Sequence, residues 1–231
     1  MTEATSKPPL LLLLGAPRTG TTLLATALGA HRDIAMLDED FHGAPARLVG
    51  GKLPGVKLCV PNQVHLTQRW RGLYKLARFN GFLRKRIGYR LPRSRLSIAD
   101  YDQAFDLRIV CILREPARAL EAISRRERLP QARAADMLHR CLETLGTLAA
   151  DPGRNLRVIS FDRFVKEPEA QCRALVDWLG LPFDPQMLEA PSRNTRYPRG
   201  GFDAGRAEGA PDVSVPENIA RAYAMLLEKA L

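Results

Sequence analysis

The chain has 231 residues, 45% of them hydrophobic and 26% charged, which excludes wholesale disorder and is enough for a folded α/β core. Its four cysteines lie far apart and form no C-x-x-C pair, so we expect neither a zinc site nor a disulfide framework, and a reduced, cytoplasmic setting. The net charge is +10, and residues 41–99 alone hold 13 Lys and Arg with no Asp or Glu, which indicates an anionic partner or a solvated face.

The chain begins with a polar, proline-ended stretch, and residues 1–9 are predicted to be a flexible tail. Residues 10–14 are five leucines, typical of a strand that is buried on both faces of a parallel sheet. This run is too short for a signal peptide or a membrane span. No other apolar stretch of the chain approaches the length of a membrane span either. We therefore expect no membrane-spanning segment.

The strand is followed by GAPRTGTT at 15–22 and then by apolar residues at helical spacing to about residue 29. In a strand, glycine-bounded turn and helix, the backbone N–H groups of the turn and the positive end of the helix dipole converge on one point. The sequence therefore predicts an anion site, although a glycine turn that binds nothing is the alternative.

The spacing of Gly15 and Gly20 matches the nucleotide-triphosphatase loop GxxxxGK[ST], with Thr21 in place of the lysine. A phosphoryl transferase uses that lysine on the β- and γ-phosphates, so its absence disfavours ATP hydrolysis. Arg18, inside the loop, is the nearby cation.

Three acids, Asp38, Glu39 and Asp40, follow a predicted short strand at 34–37. The carboxyl ends of strands are where open α/β sheets bind ligands, and a carboxylate there can take the proton of an attacking hydroxyl. A solvated acidic turn is the alternative.

Residues 45–55 contain glycine and proline and are predicted to be a loop, and residues 56–60 are predicted to be a second core strand. Lys57 interrupts this apolar strand and should therefore point toward an edge or a site. The alternative is a lysine that snorkels from the end of the strand.

The stretch 62–99 is predicted to be a basic, helical insert, with aromatic and aliphatic residues at loosely helical spacing between cations. We expect it to lie over the site and to shape the pocket of the molecule that the site acts on. Direct recognition of an acidic molecule and a purely solvated face are alternatives. The pattern also suits nucleic acid or a membrane surface. No recognisable nucleic-acid module accompanies it, so no specific nucleic-acid partner is predicted.

A buried strand at 107–113 runs into Arg114, Glu115 and Pro116, and a helix follows to about residue 128. An arginine fork at the end of a strand, beside a helix N-terminus, suits a phosphate dianion. Kinases of the usual phosphate-loop kind place an aspartate for Mg²⁺ at such a strand end, and here a cation stands instead.

Further helices are predicted at 132–150, at 167–178 and from 214 to 229, with a strand at 156–161. This alternation predicts an α/β fold of three layers, α/β/α, with a mainly parallel central sheet, and a single domain over residues 1–231.

Two of these motifs resemble sulfotransferases that use PAPS (3′-phosphoadenylyl sulfate). PRTGTT at 17–22 is similar to the PRSGTT loop that cradles the 5′-phosphosulfate in that family, and ILREP at 112–116 is similar to the strand followed by R-[DN]-P. The resemblance implies a P-loop NTPase-like sulfotransferase fold, PAPS as cofactor and no metal. The residues that it places at the 5′-phosphosulfate are Pro17, Arg18, Thr19, Gly20, Thr21 and Thr22.

The resemblance also implies roles outside the loop. LGAHRDI at 28–34 is similar to an L-x-A-H-P-D-[IV] element that tyrosylprotein sulfotransferases follow with a Glu pair, which makes Glu39 the general base, with its two acidic neighbours as alternatives. Lys57 corresponds to a lysine that contacts the transferred group, and Arg114 to the arginine on the 3′-phosphate.

The family's 3′-phosphate serine falls on Ala122, so Ser124 is the weaker candidate, with Arg125 or Arg126 as substitutes. Arg199 and Gly200 match the family's R-K-G loop on the same phosphate.

The sequence thus predicts a PAPS-dependent sulfotransferase that acts on a hydroxyl or amine of a small-molecule or glycan acceptor. The alternatives are a kinase with a degenerate loop and a non-catalytic anion- or polysaccharide-binding protein. The identity of the acceptor and the oligomeric state do not follow from the sequence.

Overall fold

A computed structural model describes residues 7–39, 51–67, 80, 91–193, 201–209 and 211–230. The strands are β1 (Pro9–Gly15), β2 (Ile34–Asp38), β3 (Leu53–Cys59), β4 (Asp106–Leu113) and β5 (Asn155–Ser160). The α-helices are α1 (Thr21–Ala30), α2 (Ile98–Ala104), α3 (Pro116–Glu127), α4 (Gln131–Ala149), α5 (Phe161–Lys166), α6 (Pro168–Leu179), α7 (Gln186–Glu189) and α8 (Glu217–Leu227). Short 3₁₀ turns follow at Ala190–Arg193 and Ala204–Ala207.

The five strands form one sheet in the order β2-β3-β1-β4-β5, and every neighbouring pair is parallel. The leucine run lies in β1, the central strand, and each of its five leucines is fully buried. This confirms the prediction of a strand covered on both faces.

The pleat of β1 divides the core in two. Leu10, Leu12 and Leu14 face a cluster that includes buried residues of α3, α4 and α8, whereas Leu11 and Leu13 face one that includes α1 and α6. The predicted α/β fold of three layers with a parallel central sheet is therefore confirmed.

The start of β3 differs from the prediction. The sequence predicts a loop through residue 55, but β3 begins at Leu53 and includes Pro54 and Gly55. Pro54 lies opposite Ala35 of β2 near the start of the strand, where a residue without an N–H is tolerated. Gly55 leaves room for the Met36 side chain, whose sulfur would collide with a Cβ there.

The described helices include none that is both long and apolar enough to cross a membrane. The insert predicted at 62–99 lies outside the described residues over 68–79 and 81–90, as does the tail over 1–6.

Candidate functional site

The candidate site lies at the carboxyl ends of the parallel strands, where the connections that follow β1, β2 and β4 meet. The loop after β1 is set by two positive backbone angles, with φ of 70° at Arg18 and 99° at Gly20. The N–H and the hydroxyl of Thr19 both donate to the Ala16 carbonyl, at 3.3 and 2.8 Å. This folds the loop back toward the start of α1.

Helix α1 begins directly after the loop, and no side chain caps its N-terminus. The first N–H groups of an α-helix have no partner within the helix, so they point toward whatever occupies the loop. The other long helix beside the site, α3, is different: Glu115 caps it by accepting from the N–H groups of Ala117 and Arg118, both at 2.9 Å. The N-terminus of α1, and not that of α3, thus offers amides to an anion.

The threonines of the loop have different surroundings. Thr19 and Thr21 are buried, with 1% and 3% exposure, and Thr21 Oγ1 lies 3.7 Å from Cys59 Sγ in β3. Thr22 is half-buried and is the most exposed of the three. The hydroxyls of Thr19 and Thr21 thus have neighbours inside the protein, and Thr22 is the threonine that is most accessible to a ligand.

Arg114, the first residue after β4, is the second predicted anion anchor, after the loop that follows β1, and it contacts that loop directly. Its Nη1 donates to the Arg18 carbonyl at 3.3 Å, and its guanidinium carbon lies 4.9 Å from the centre of the Phe161 ring. The same ring packs against Gly20, where a Cβ would collide with it. The structure thus brings Arg114 and the loop together around Phe161, a residue that the sequence analysis did not identify.

The turn that carries Arg114 is held by Asp162 at the start of α5. The carboxylate of Asp162 accepts from the Glu115 N–H at 3.0 Å and pairs with Arg118 Nη1 at 2.9 Å. The segments that follow β4 and β5 are therefore held together by charge-assisted hydrogen bonds.

Lys57 and the acids after β2 form the third part of the site. Lys57 is 1% exposed, and its Nζ lies 2.7 Å from Asp38 Oδ1 and 3.1 Å from Glu39 Oε1. Burial acts to lower the pKa of the Lys57 ammonium, but the negative charge of its neighbours, Asp38 and Glu39 among them, outweighs it, and the net shift is upward. Burial in turn raises the pKa of the Cys59 thiol.

Ser124 lies in the C-terminal half of α3. It is the ninth residue of α3, about 12 Å along the helix from its first residue at a rise of 1.5 Å per residue. Its hydroxyl donates to the Leu129 carbonyl at 2.7 Å and so helps to end the helix. The structure thus gives Ser124 a contact at the C-terminal end of α3, and its contact with the 3′-phosphate stays a prediction.

His31 explains why the LGAHRDI element is ordered. Its Nδ1 accepts from the Asp33 N–H at 3.0 Å, so Nε2 carries the proton and donates to the Pro182 carbonyl at 2.7 Å. Asp184 accepts from the Arg32 N–H at 3.1 Å, and these contacts tie the start of β2 to the segment after α6. Histidine in this element is therefore structural, and it helps to fix β2, the strand that directly precedes Glu39.

Three of the predicted site residues, Asp40, Arg199 and Gly200, lie outside the described residues. Within the part of the chain that the structure describes, no group of three or more His, Cys, Asp or Glu side chains is arranged to hold a metal ion.

No protein-family model matches the sequence, and no curated protein sequence matches it. Solved structures do match. The sulfotransferase domain from the curacin biosynthetic pathway has a TM-score of 0.64 at 16% identity, with 98% of this chain and 100% of that chain covered. The sulfotransferase domain of the Synechococcus PCC 7002 olefin synthase has a TM-score of 0.64 at 15% identity, with 98% of each chain covered.

Mouse sulfotransferase SULT7A1, crystallised in complex with PAP, has a TM-score of 0.50 at 14% identity, with 90% of this chain and 72% of that chain covered. At such low identities the likeness is one of fold. The chain therefore has the α/β fold of solved sulfotransferases.

Proposed function

We propose that this protein is a sulfotransferase that moves the sulfuryl group of PAPS to a hydroxyl or amine of an acceptor. The observation that carries the proposal is the meeting of two anion anchors around one ring. Gly20, directly before the uncapped N-terminus of α1, packs against Phe161, and the Arg114 guanidinium lies over the same ring.

The residues present fit a nucleotide with two separated anionic groups. The backbone amides from Gly20 onward, with the Thr22 hydroxyl, would hold the 5′-phosphosulfate at the positive end of α1. Arg114 would hold the 3′-phosphate, and its contact with the Arg18 carbonyl fixes the separation between the two anchors. Pro17, Thr19 and Thr21 would shape the loop from within.

Arg18 is half-buried in the loop, in its left-handed conformation. As a cation beside the proposed phosphosulfate, it would stabilise negative charge that develops on the transferring group and on the departing phosphate. Such stabilisation is largest when the charge is already positioned, and the φ of 70° at Arg18 sets the direction in which its side chain leaves the backbone.

Glu39 would act as the general base. Its carboxylate would accept the proton of the acceptor hydroxyl while the new sulfur–oxygen bond forms and the bond to the phosphate breaks in line. Its position supports this role. Glu39 directly follows β2 at the carboxyl ends of the parallel strands, where the loop after β1 also lies. Asp38 is the alternative base within the described residues.

A PAP-bound sulfotransferase among the structures with this fold further supports PAPS as the cofactor. The concentration of Lys and Arg in 41–99 favours a small-molecule or glycan acceptor that carries negative charge.

Calorimetric titration with PAP, the desulfated product, and separately with ATP tests the proposal. Both titrations are run in EDTA and repeated with Mg²⁺. We expect PAP to bind without metal and ATP to give no response. Binding of ATP that requires Mg²⁺ would favour the kinase, and binding of neither nucleotide would favour the non-catalytic anion-binding protein.

A further inference from the structure

The contacts of Lys57 assign it a different part in the reaction from the one that its sequence position suggests. Lys57 lies in β3, opposite Asp38 of the neighbouring edge strand β2 in the sheet register. Residues that face each other across parallel strands point to the same side of the sheet. The ammonium therefore lies beside the end of β2, where Asp38 is the last residue of the strand and Glu39 follows it.

Both ends of Glu39 are held by this one lysine. The Glu39 N–H donates to the Lys57 carbonyl at 3.1 Å, and Lys57 Nζ donates to Glu39 Oε1 at 3.1 Å. Between these two contacts the Glu39 backbone has a φ of 61°, a conformation that residues other than glycine rarely adopt. Such a conformation persists where surrounding contacts determine it, and Lys57 supplies two of them.

The Lys57 ammonium is charged, and two ion pairs take up most of its contacts. Lys57 is almost completely buried, while the carboxylates of Asp38 and Glu39 are 36% and 31% exposed. The Cys59 thiol, which also faces the ammonium, has a raised pKa and is therefore neutral at pH 7, so the two carboxylates supply the negative charge. Thr21 of α1 contacts Cys59 and carries no charge.

We propose that Lys57 is a positioning residue, whose buried ammonium is shared by Asp38 and Glu39 and holds the Glu39 carboxylate at the end of β2. Two of the three N–H donors of the Lys57 ammonium are directed to these carboxylates, so its main contacts are not with the transferred group. Asp38 has a complementary part, because its carboxylate competes with that of Glu39 for the same ammonium. The catalytic meaning of this arrangement rests on the proposed function, in which Glu39 is the base.

The test is the pH at which the Glu39 carboxylate takes up a proton, measured by carbon NMR on the full chain labelled in glutamate. The Glu39 signal is identified by its loss in Glu39→Gln. In Lys57→Met we expect the midpoint to rise by about one pH unit or more, since an opposite charge at hydrogen-bond distance favours the ionised carboxylate. An unchanged midpoint in folded Lys57→Met would overturn the proposal.

Asp38→Asn gives an independent reading, because Asp38 is partly exposed and the change is nearly isosteric. We expect the Glu39 midpoint to fall in this variant, since a like charge is lost and the ammonium is left to Glu39. If Lys57→Met does not fold, an unchanged or higher midpoint in Asp38→Asn overturns the proposal in its place.

The matched control is Arg154→Met. Arg154 also lies between two carboxylates, 3.1 Å from Asp102 and 3.2 Å from Asp151, but just before β5, at the opposite edge of the sheet. The Glu39 midpoint should be the same in this variant as in the wild type, and a shift as large as that in Lys57→Met would show a nonspecific effect and overturn the assignment. PAP titration of the same samples is separate: failure to bind PAP would refute the proposed function and leave the NMR result readable.

Discussion

Replacement of Arg114 by methionine is the most direct test of the second anion anchor. Methionine keeps much of the aliphatic stem and removes the guanidinium that lies over the Phe161 ring and donates to the Arg18 carbonyl. Removal of one partner from a desolvated charge pair costs about 2–5 kcal/mol of binding free energy. Because Arg114 is only half-buried, we expect the lower part of this range.

A loss of about 2–3.5 kcal/mol corresponds to a PAP dissociation constant roughly 30- to 300-fold higher. Isothermal titration calorimetry of the wild type and the variant, in metal-free buffer, measures it. Arg157→Met is the matched control: it makes the same change in net charge and also removes a guanidinium from an aromatic ring, that of Trp178, 5.5 Å away on the surface. The control should bind PAP as the wild type does.

The reasoning would be refuted if folded Arg114→Met bound PAP within about threefold of the wild type, a difference of less than about 0.7 kcal/mol. Circular dichroism and a urea transition show whether the variant is folded. An equal loss of affinity in Arg157→Met would indicate that net charge, and not the position of Arg114, governs binding.

Three further predictions follow from the same structure. Glu39→Gln should reduce sulfuryl transfer by about 10²- to 10⁴-fold and leave PAP affinity unchanged, and full turnover would assign the base elsewhere. Gly20→Ala should lower the free energy of unfolding by at least about 2 kcal/mol in urea, because its φ is 99° and its Cβ would meet the Phe161 ring. Gly146→Ala, with open space around its Cβ in α4, should instead raise it by about 0.5–1 kcal/mol, and similar effects at both positions would contradict the packing argument. Burial raises the pKa of the Cys111 thiol from 9.0 to about 12, so the unfolded chain loses a proton that the native state keeps as pH rises from 9 to 12. Stability should therefore fall over this window, by up to about 1.4 kcal/mol per pH unit for this group, and less steeply in Cys111→Ala; equal slopes would count against the shift.

The central strand and the first anchor could be predicted because their signals are local. Five consecutive leucines have one plausible place in an α/β fold, and the loop and helix that follow need only their own residues. Arg114 is a similar case. About ten consecutive residues are enough to predict a strand, an arginine after it and a helix that begins with proline.

The sharing of Lys57 between two carboxylates could not be predicted, because it depends on the register between β2 and β3. That register is set by strand pairing across a gap of 14 residues, and a shift of one residue would turn Lys57 to the other face. The sequence indicated only that a lysine in an apolar strand should point to an edge or a site.

The position of Ser124 shows a different limit. A family position that is assigned by counting residues is reliable only where the helices of the two proteins are in register. Two residues along an α-helix correspond to about 200° of rotation and 3 Å of rise. The hydroxyl that results closes the end of α3 on Leu129.

Gly20 has two physical explanations that must be separated. A glycine there lets the backbone approach an anion, and the structure shows that it also makes room for the Phe161 ring. A protein that bound no anion would still need glycine at this position, so the glycine spacing alone does not carry the proposed function. The case for an anion is carried by the uncapped N-terminus of α1 and by the guanidinium of Arg114, which lies over the same ring. For this reason the affinity of Arg114→Met for PAP discriminates between the two explanations, whereas the stability of Gly20→Ala reports only on packing.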